Sequence, residues 1–187
     1  MERKLEIKID YERGEAMILF PGLRHRALIT TPETFVDMMK TLTVILKTAG
    51  LSMFYMMGEE KGRHDVRKEL ETLKEQGVIL TGRQILEAII DHSRATGWGA
   101  CQIRKYEENK GAVVIRVENN PLAIALGKTD EPMCHYLRGY WTGLVSEALE
   151  REVECTETRC MSKGDPHYEF VIVKQASKQV ANGNDRN

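Results

Sequence analysis

The chain has 187 residues, a length typical of one folded domain that buries a hydrophobic core without disulfides. Its 27 Lys and Arg residues are balanced by 28 Asp and Glu residues, which argues against a nucleic-acid partner. The charged N-terminus MERKLEIKID and the lack of a long apolar run argue against a signal peptide and a membrane partner. We therefore expect a cytoplasmic protein.

The N-terminal segment has the features of a β-hairpin. Residues 4–9 and 16–20 are apolar-rich and short, as strands are, and Glu12-Arg13-Gly14-Glu15 between them is a plausible turn. We interpret residues 1–23 as a β-hairpin extension that precedes the main domain.

Two helical segments follow. Thr31 and Pro32 are a strong helix start, and apolar residues then recur at helical spacing until Gly50, where the pattern predicts an end. Residues 51–76 continue in a helical pattern, with predicted interruptions at Gly58 and Gly62.

The second half of the chain mixes helices with strands. A helix is predicted from Thr81 to Gly97, and the period then changes to two on either side of Asn109-Lys110-Gly111, as in an antiparallel hairpin. Further elements are a helix over 133–150 and strands over 152–160 and 168–174. These elements predict an α+β fold, a single domain of helices packed on an antiparallel sheet, over residues 24–174. We expect a disordered tail over 175–187.

Several side chains that bind zinc lie in the C-terminal third. They are Cys134, Glu157, Cys160 and His167, and thiolate, carboxylate and imidazole are all common zinc ligands. In a strand, Cys155 shares a face with Glu157, whereas Cys160 faces the other way unless a bulge redirects it. Spacing alone leaves two interpretations open: a metal site, or buried thiols beside a surface carboxylate.

Motifs of common enzymes are missing. The sequence has neither a Walker loop nor a dinucleotide fingerprint, no nucleophile elbow, and no paired histidines of the metalloprotease type. The sequence therefore favours a domain that is not an enzyme.

The segments PMCHYLRGYWTGLVSEAL and EVECTETRCMSKGDPHYEF resemble the 4-vinyl-reductase domain family in the order and separation of their marked residues. FYMMGEEKG and GWGACQIRKYEENKGAVVIRVENNPLA extend the resemblance, which covers residues 24–174. It implies a ligand-binding fold shared with nitric-oxide-sensing and vesicle-tethering proteins, often a homodimer. It also implies a sensor for small aromatic or other apolar molecules, hydrocarbons included, with a structural zinc ion beside the pocket.

The resemblance assigns three zinc ligands and leaves the fourth open. Cys134, Glu157 and Cys160 match the first three family positions, but Tyr168 stands where the family has its last cysteine. A neutral phenol is a poor zinc ligand. The fourth ligand is then His167, Cys155 or water, or no metal binds.

Five aromatic residues are candidates for an apolar pocket, because aromatic side chains enclose apolar ligands: Phe54, Tyr55, Trp98, Tyr140 and Trp141. Each of them could instead simply fill the core. Two other functions fit the resemblance. One is an enzyme or accessory protein of tetrapyrrole metabolism, which would need an electron donor from a partner, and the other is an adaptor subunit of a larger assembly.

Overall fold

A computed structural model describes residues 6–20, 23–75, 77–130 and 133–175 and confirms the predicted α+β class. Helices pack beside two separate antiparallel sheets, one of three strands and one of four. The predicted disordered tail lies outside the described residues, except for Gln175. Among the helices described, none is long and apolar enough to cross a lipid bilayer.

The N-terminal sheet contains the predicted hairpin and one further strand. β1 (Glu6–Asp10), β2 (Glu15–Phe20) and β3 (Leu23–Ala27) pair in chain order. The Asp10 carboxylate closes the hairpin by accepting hydrogen bonds from two backbone N–H groups of the turn, at 3.1 and 3.0 Å. Strand β3 crosses the predicted boundary at residue 23, and its polar sequence LRHRA does not have the apolar pattern that predicts a strand.

The prediction that Gly50 ends the first helix is wrong. Helix α1 (Pro32–Leu46) ends earlier, at a turn where Lys47 has a positive φ of 52°. Gly50 lies in the first turn of helix α2 (Thr48–Glu75). A Cβ atom on Gly50 would lie 2.7 Å from the Leu42 carbonyl oxygen, so the glycine permits the tight reversal between the two helices.

The predicted interruptions of α2 are also wrong, because the helix continues through Gly58 and Gly62. Both glycines face helix α5 (His135–Ala148), and Cβ atoms on them would lie 2.1 and 2.2 Å from backbone carbonyl oxygens of that helix. Gly139 and Gly143 of α5 face α2 in the same way. The four glycines therefore let the two helix backbones touch.

The remaining elements confirm the predicted order. Helix α3 (Gly82–Ala95) begins at Thr81, whose backbone N–H donates to the Gln84 side chain at 2.9 Å, and α4 (Pro121–Leu126) is a short helix. The strands are β4 (Ala100–Glu107), β5 (Ala112–Glu118), β6 (Val153–Arg159) and β7 (Tyr168–Lys174), which form the sheet β4-β5-β7-β6. The main core lies between this sheet and α3 and α5, with Trp141, Leu86, Ile115 and Phe170 almost fully buried.

Candidate functional site

Three of the four predicted metal ligands meet in space. Cys134 directly precedes α5, Glu157 lies in β6, and Cys160 follows that strand. Their ligand atoms all lie within 4.8 Å of one another, and both cysteines are buried. Two thiols and a carboxylate are a donor set that suits zinc.

A bulge in β6 brings Cys160 to the same side as Glu157. The pairing with β7 shifts register after Glu157, which lies opposite Phe170, so that Arg159 lies opposite Glu169. The extra residue between them cancels the strand alternation that would otherwise turn Cys160 away. The Asp165 carboxylate then accepts a hydrogen bond from the Cys160 backbone N–H at 2.8 Å and holds the chain as it leaves the strand.

The cluster has unusual protonation chemistry. A hydrogen bond from the Cys134 thiol is the main cause that lowers the pKa of Cys160 to about 5. Burial raises the pKa of Glu157 to about 9 and raises the pKa of Cys134 well above its ordinary value. One Glu157 carboxyl oxygen is buried without a hydrogen-bond partner among the described residues. The free oxygen and the thiolate at Cys160 both fit a cation.

Tyr168 lies beside the cluster, as expected from its position in the sequence. Its hydroxyl contacts the Cys134 thiol and lies 3.1 Å from the Ser162 hydroxyl. His167 is buried but does not join the three-residue cluster, since neighbouring residues of a strand face opposite ways. Cys155 is not in the cluster either, and its thiol bonds to Thr142.

A separate feature is a cavity of about 440 Å³ between the N-terminal sheet and the helices. Ile18 and Ala27 contribute from the sheet, Leu28 from the segment after it, and α2, α3 and α5 supply most of the remaining wall. A volume of this order is typical of small-molecule sites.

Three stacked aromatic rings form one wall of the cavity. The Trp98 ring lies 5.7 Å from Tyr136 and 6.5 Å from Tyr140, at interplanar angles of 16° and 10°. Phe35 meets Tyr136 edge to face at 4.9 Å. A second cavity, of about 420 Å³, shares Trp98 and is also lined by Phe35. Trp98 is therefore part of both cavities.

Of the five predicted pocket residues, Trp98 and Tyr140 line the larger cavity. Phe54 is buried in a small core cluster beside the cavity, and Trp141 packs in the main core against Phe170. The Tyr55 hydroxyl donates to Thr142, away from both cavities. Sequence reasoning missed Tyr136, although its spacing of four residues from Tyr140 places both on one face of α5.

Polar groups meet at Tyr140. Its hydroxyl donates to the Asp65 carboxylate at 3.2 Å and lies 3.4 Å from the Ser93 hydroxyl. Burial raises the pKa of Tyr140, so its hydroxyl keeps its proton at neutral pH. Lys61 pairs with the same carboxylate. The cavity thus combines an aromatic wall with a few fixed polar groups.

Comparison with known proteins bears on this arrangement. Residues 113–174, which contain almost all of β5, the whole of α5, β6 and β7 and all three clustered side chains, match the model of the vinyl-4-reductase domain. The resemblance to the 4-vinyl-reductase domain family is confirmed. The uncharacterized protein MJ0150 of Methanocaldococcus jannaschii is 24% identical over 125 residues, which are 65% of this chain. That match spans 63% of MJ0150, less than two thirds of its length.

Two solved structures share the fold around the matched segment. The phenol-responsive sensory domain of the transcription activator PoxR, solved with phenol, has a TM-score of 0.73 at 16% identity, over 90% of this chain and 84% of its own. A trafficking protein particle complex subunit 3 from Naegleria fowleri, covalently bound to palmitic acid, has a TM-score of 0.55 at 18% identity. It covers 78% of this chain and 95% of its own. At these identities the likeness shows the fold alone.

Proposed function

We propose that the protein is a small-molecule-binding domain of the sensor type, whose ligand occupies the larger cavity. The observation that carries the proposal is the stacked wall of Trp98, Tyr136 and Tyr140 around a space of about 440 Å³. Aromatic walls favour ligands with flat apolar bodies, and fixed hydroxyl groups orient them. The fold likeness to the phenol-responsive domain of PoxR, and to a palmitate-bound trafficking subunit, supports the same class of function.

The proposed binding mode places an aromatic body against Trp98, with Tyr140 at its polar side. Tyr140 donates to Asp65, which leaves its oxygen lone pairs free to accept from a ligand hydroxyl or N–H group. We also propose a homodimer, in keeping with the family resemblance. The alternatives of a tetrapyrrole-related enzyme and of an adaptor subunit stay predictions.

Titration of the purified protein with phenol by isothermal calorimetry tests the proposal. We expect saturable binding that weakens about tenfold in Tyr140→Phe, which loses one hydroxyl hydrogen bond. Tyr106→Phe is the matched control, because it removes a hydroxyl that is buried without a hydrogen-bond partner among the described residues, outside both cavities. Equal affinity in Tyr140→Phe and wild type, or no saturable binding of phenol, cresol or toluene, would contradict this binding mode.

We further propose that Cys134, Glu157 and Cys160 hold a structural zinc ion. The support is the cluster within 4.8 Å, the unpartnered Glu157 oxygen and the low pKa of Cys160. Zinc would neutralise the buried anionic groups and tie the start of α5 to the end of β6. The fourth position is a prediction still, with His167, Cys155 and water as the candidates.

A further inference from the structure

One face of helix α2 points polar side chains into the larger cavity. Lys61, His64, Asp65 and Lys68 all line it, and their spacing of three, four and seven residues places them in a single stripe. The stripe extends over about 10 Å of helix. A helix face against an apolar cavity is normally apolar, so these four residues favour a polar occupant.

The charges of the cavity wall do not balance. Arg26, Lys61 and Lys68 contribute three cations, whereas Asp65 is the one carboxylate among the described lining residues. Lys61 pairs with Asp65, and Arg26 pairs with Glu15 at 3.1 Å near the surface. Within the part of the chain that the structure describes, Lys68 has no carboxylate within ion-pair distance. The wall therefore has positive charge to offer a ligand.

The rest of the wall is apolar. Ile18, Leu28, Trp98 and Tyr136 supply aliphatic and aromatic surface to the same cavity. A molecule that satisfies both parts has a flat apolar body and a negatively charged group. A neutral hydrocarbon would leave the cationic groups without a partner, and a cation would be repelled by them.

We infer that the preferred ligand is an aromatic carboxylate, with its ring against Trp98 and its carboxylate toward Lys68 and Arg26. This inference rests on the proposed function, since it names the ligand class of the same cavity. The carboxylate would take the place of water at Lys68 and share the positive field of Arg26, while the Asp65 carboxylate keeps its bonds to Lys61 and Tyr140.

Three ligands with the same ring and different charge test the inference: benzoate, benzyl alcohol and benzylamine. We expect isothermal calorimetry at low ionic strength to give affinities in that order, with benzoate binding at least about fivefold more tightly than the alcohol. Lys68→Gln removes the charge and keeps a side chain of similar length, and we expect it to abolish most of the difference between benzoate and the alcohol. Lys74→Gln is the matched control, since Lys74 is on the same helix but does not line the cavity.

The outcomes separate this inference from the proposed function. Equal binding of benzoate and benzyl alcohol, weakened by Tyr140→Phe, would keep the aromatic site and overturn the anion preference. An anion preference that survives in Lys68→Gln would also overturn the assignment to that residue. Failure of all three ligands and of phenol to bind would overturn both proposals. Circular dichroism on each variant establishes that it is folded before binding is measured.

Discussion

Gly143 of α5 lies directly against the backbone of Glu59 in α2, so closely that a Cβ atom at position 143 would be 1.9 Å from the Glu59 carbonyl oxygen. Gly139 makes the matching contact one turn earlier, where a Cβ atom would lie 2.0 Å from the Tyr55 carbonyl oxygen. Backbone atoms cannot move away as the end of a side chain can. The contact therefore depends on glycine.

We expect Gly143→Ala to destabilise the protein by about 3 kcal/mol or more, because the added methyl group forces α2 and α5 apart. Alanine also favours a helix by about 1 kcal/mol over glycine, so a net loss isolates the steric effect. Urea unfolding followed by circular dichroism measures it. Gly127→Ala is the control: its Cβ atom would meet open space, and its positive φ of 73° sets a cost of about 1–2 kcal/mol. A smaller loss in Gly143→Ala than in the control would contradict the close contact.

Asn120 links the cavity wall to helix α4. It is fully buried, its side-chain N–H donates to the Trp98 carbonyl at 2.8 Å, and its side-chain oxygen caps α4 by accepting from the Ala123 N–H at 3.1 Å. We expect Asn120→Ala to cost about 2–3 kcal/mol in the free energy of unfolding, since two buried backbone groups lose their partners. Exposed Asn109→Ala should change it by less than about 0.5 kcal/mol. Similar thermal midpoints for the two variants would contradict this role.

Alkaline pH should weaken the fold. Burial raises the pKa of both Cys101 and Tyr136 to about 12, from ordinary values of 9.0 and 10.0. The unfolded chain therefore loses these protons first, and the free energy of unfolding falls as pH rises from about 9 toward 12. Below about pH 9 the contribution is fully present.

Denaturant unfolding at several pH values between about 8 and about 11 measures this fall. In Cys101→Ala we expect a shallower decline than in the wild type, by up to about 1.4 kcal/mol per pH unit. Ser52→Ala, at an exposed hydroxyl, should keep the wild-type slope. A decline of the same steepness in Cys101→Ala would show that this thiol does not contribute.

The zinc proposal predicts about one zinc ion per chain in protein purified without added metal, and we expect Cys134→Ser to lose most of it. Cys101→Ser is the control, because Cys101 is buried but lies outside the cluster. Plasma mass spectrometry gives the metal content, and removal by a chelator should lower the thermal midpoint of the wild type but not that of Cys134→Ser. Less than about 0.1 zinc per wild-type chain would end the proposal.

Local patterns predicted most of the elements, but not how backbones meet. Gly58 and Gly62 weaken a helix by propensity, and only the presence of α5 explains why the helix continues. Gly50 predicted a helix end for the same reason, whereas in the fold it serves the reversal before it. The partner of a glycine is a long-range property that a single sequence does not contain.

Prediction of the two sites succeeded to different degrees. Cys134, Glu157 and Cys160 could be grouped through the family resemblance, although the bulge that aligns Glu157 with Cys160 depends on pairing with β7. Aromatic residues of cavity and core share the same helical spacing, so Trp141 and Tyr140 could not be told apart. Only their positions relative to the N-terminal sheet separate them.

The glycine contact between α2 and α5 also has a consequence for how binding preference can evolve. It fixes the placement of α2 through backbone atoms and one face, while the stripe that lines the cavity occupies another face of the same helix. Substitutions at Lys61, His64 or Lys68 can therefore retune which molecules are accepted while the helix stays in register. Conversely, a lineage can diverge widely in ligand and still retain Gly58, Gly62, Gly139 and Gly143.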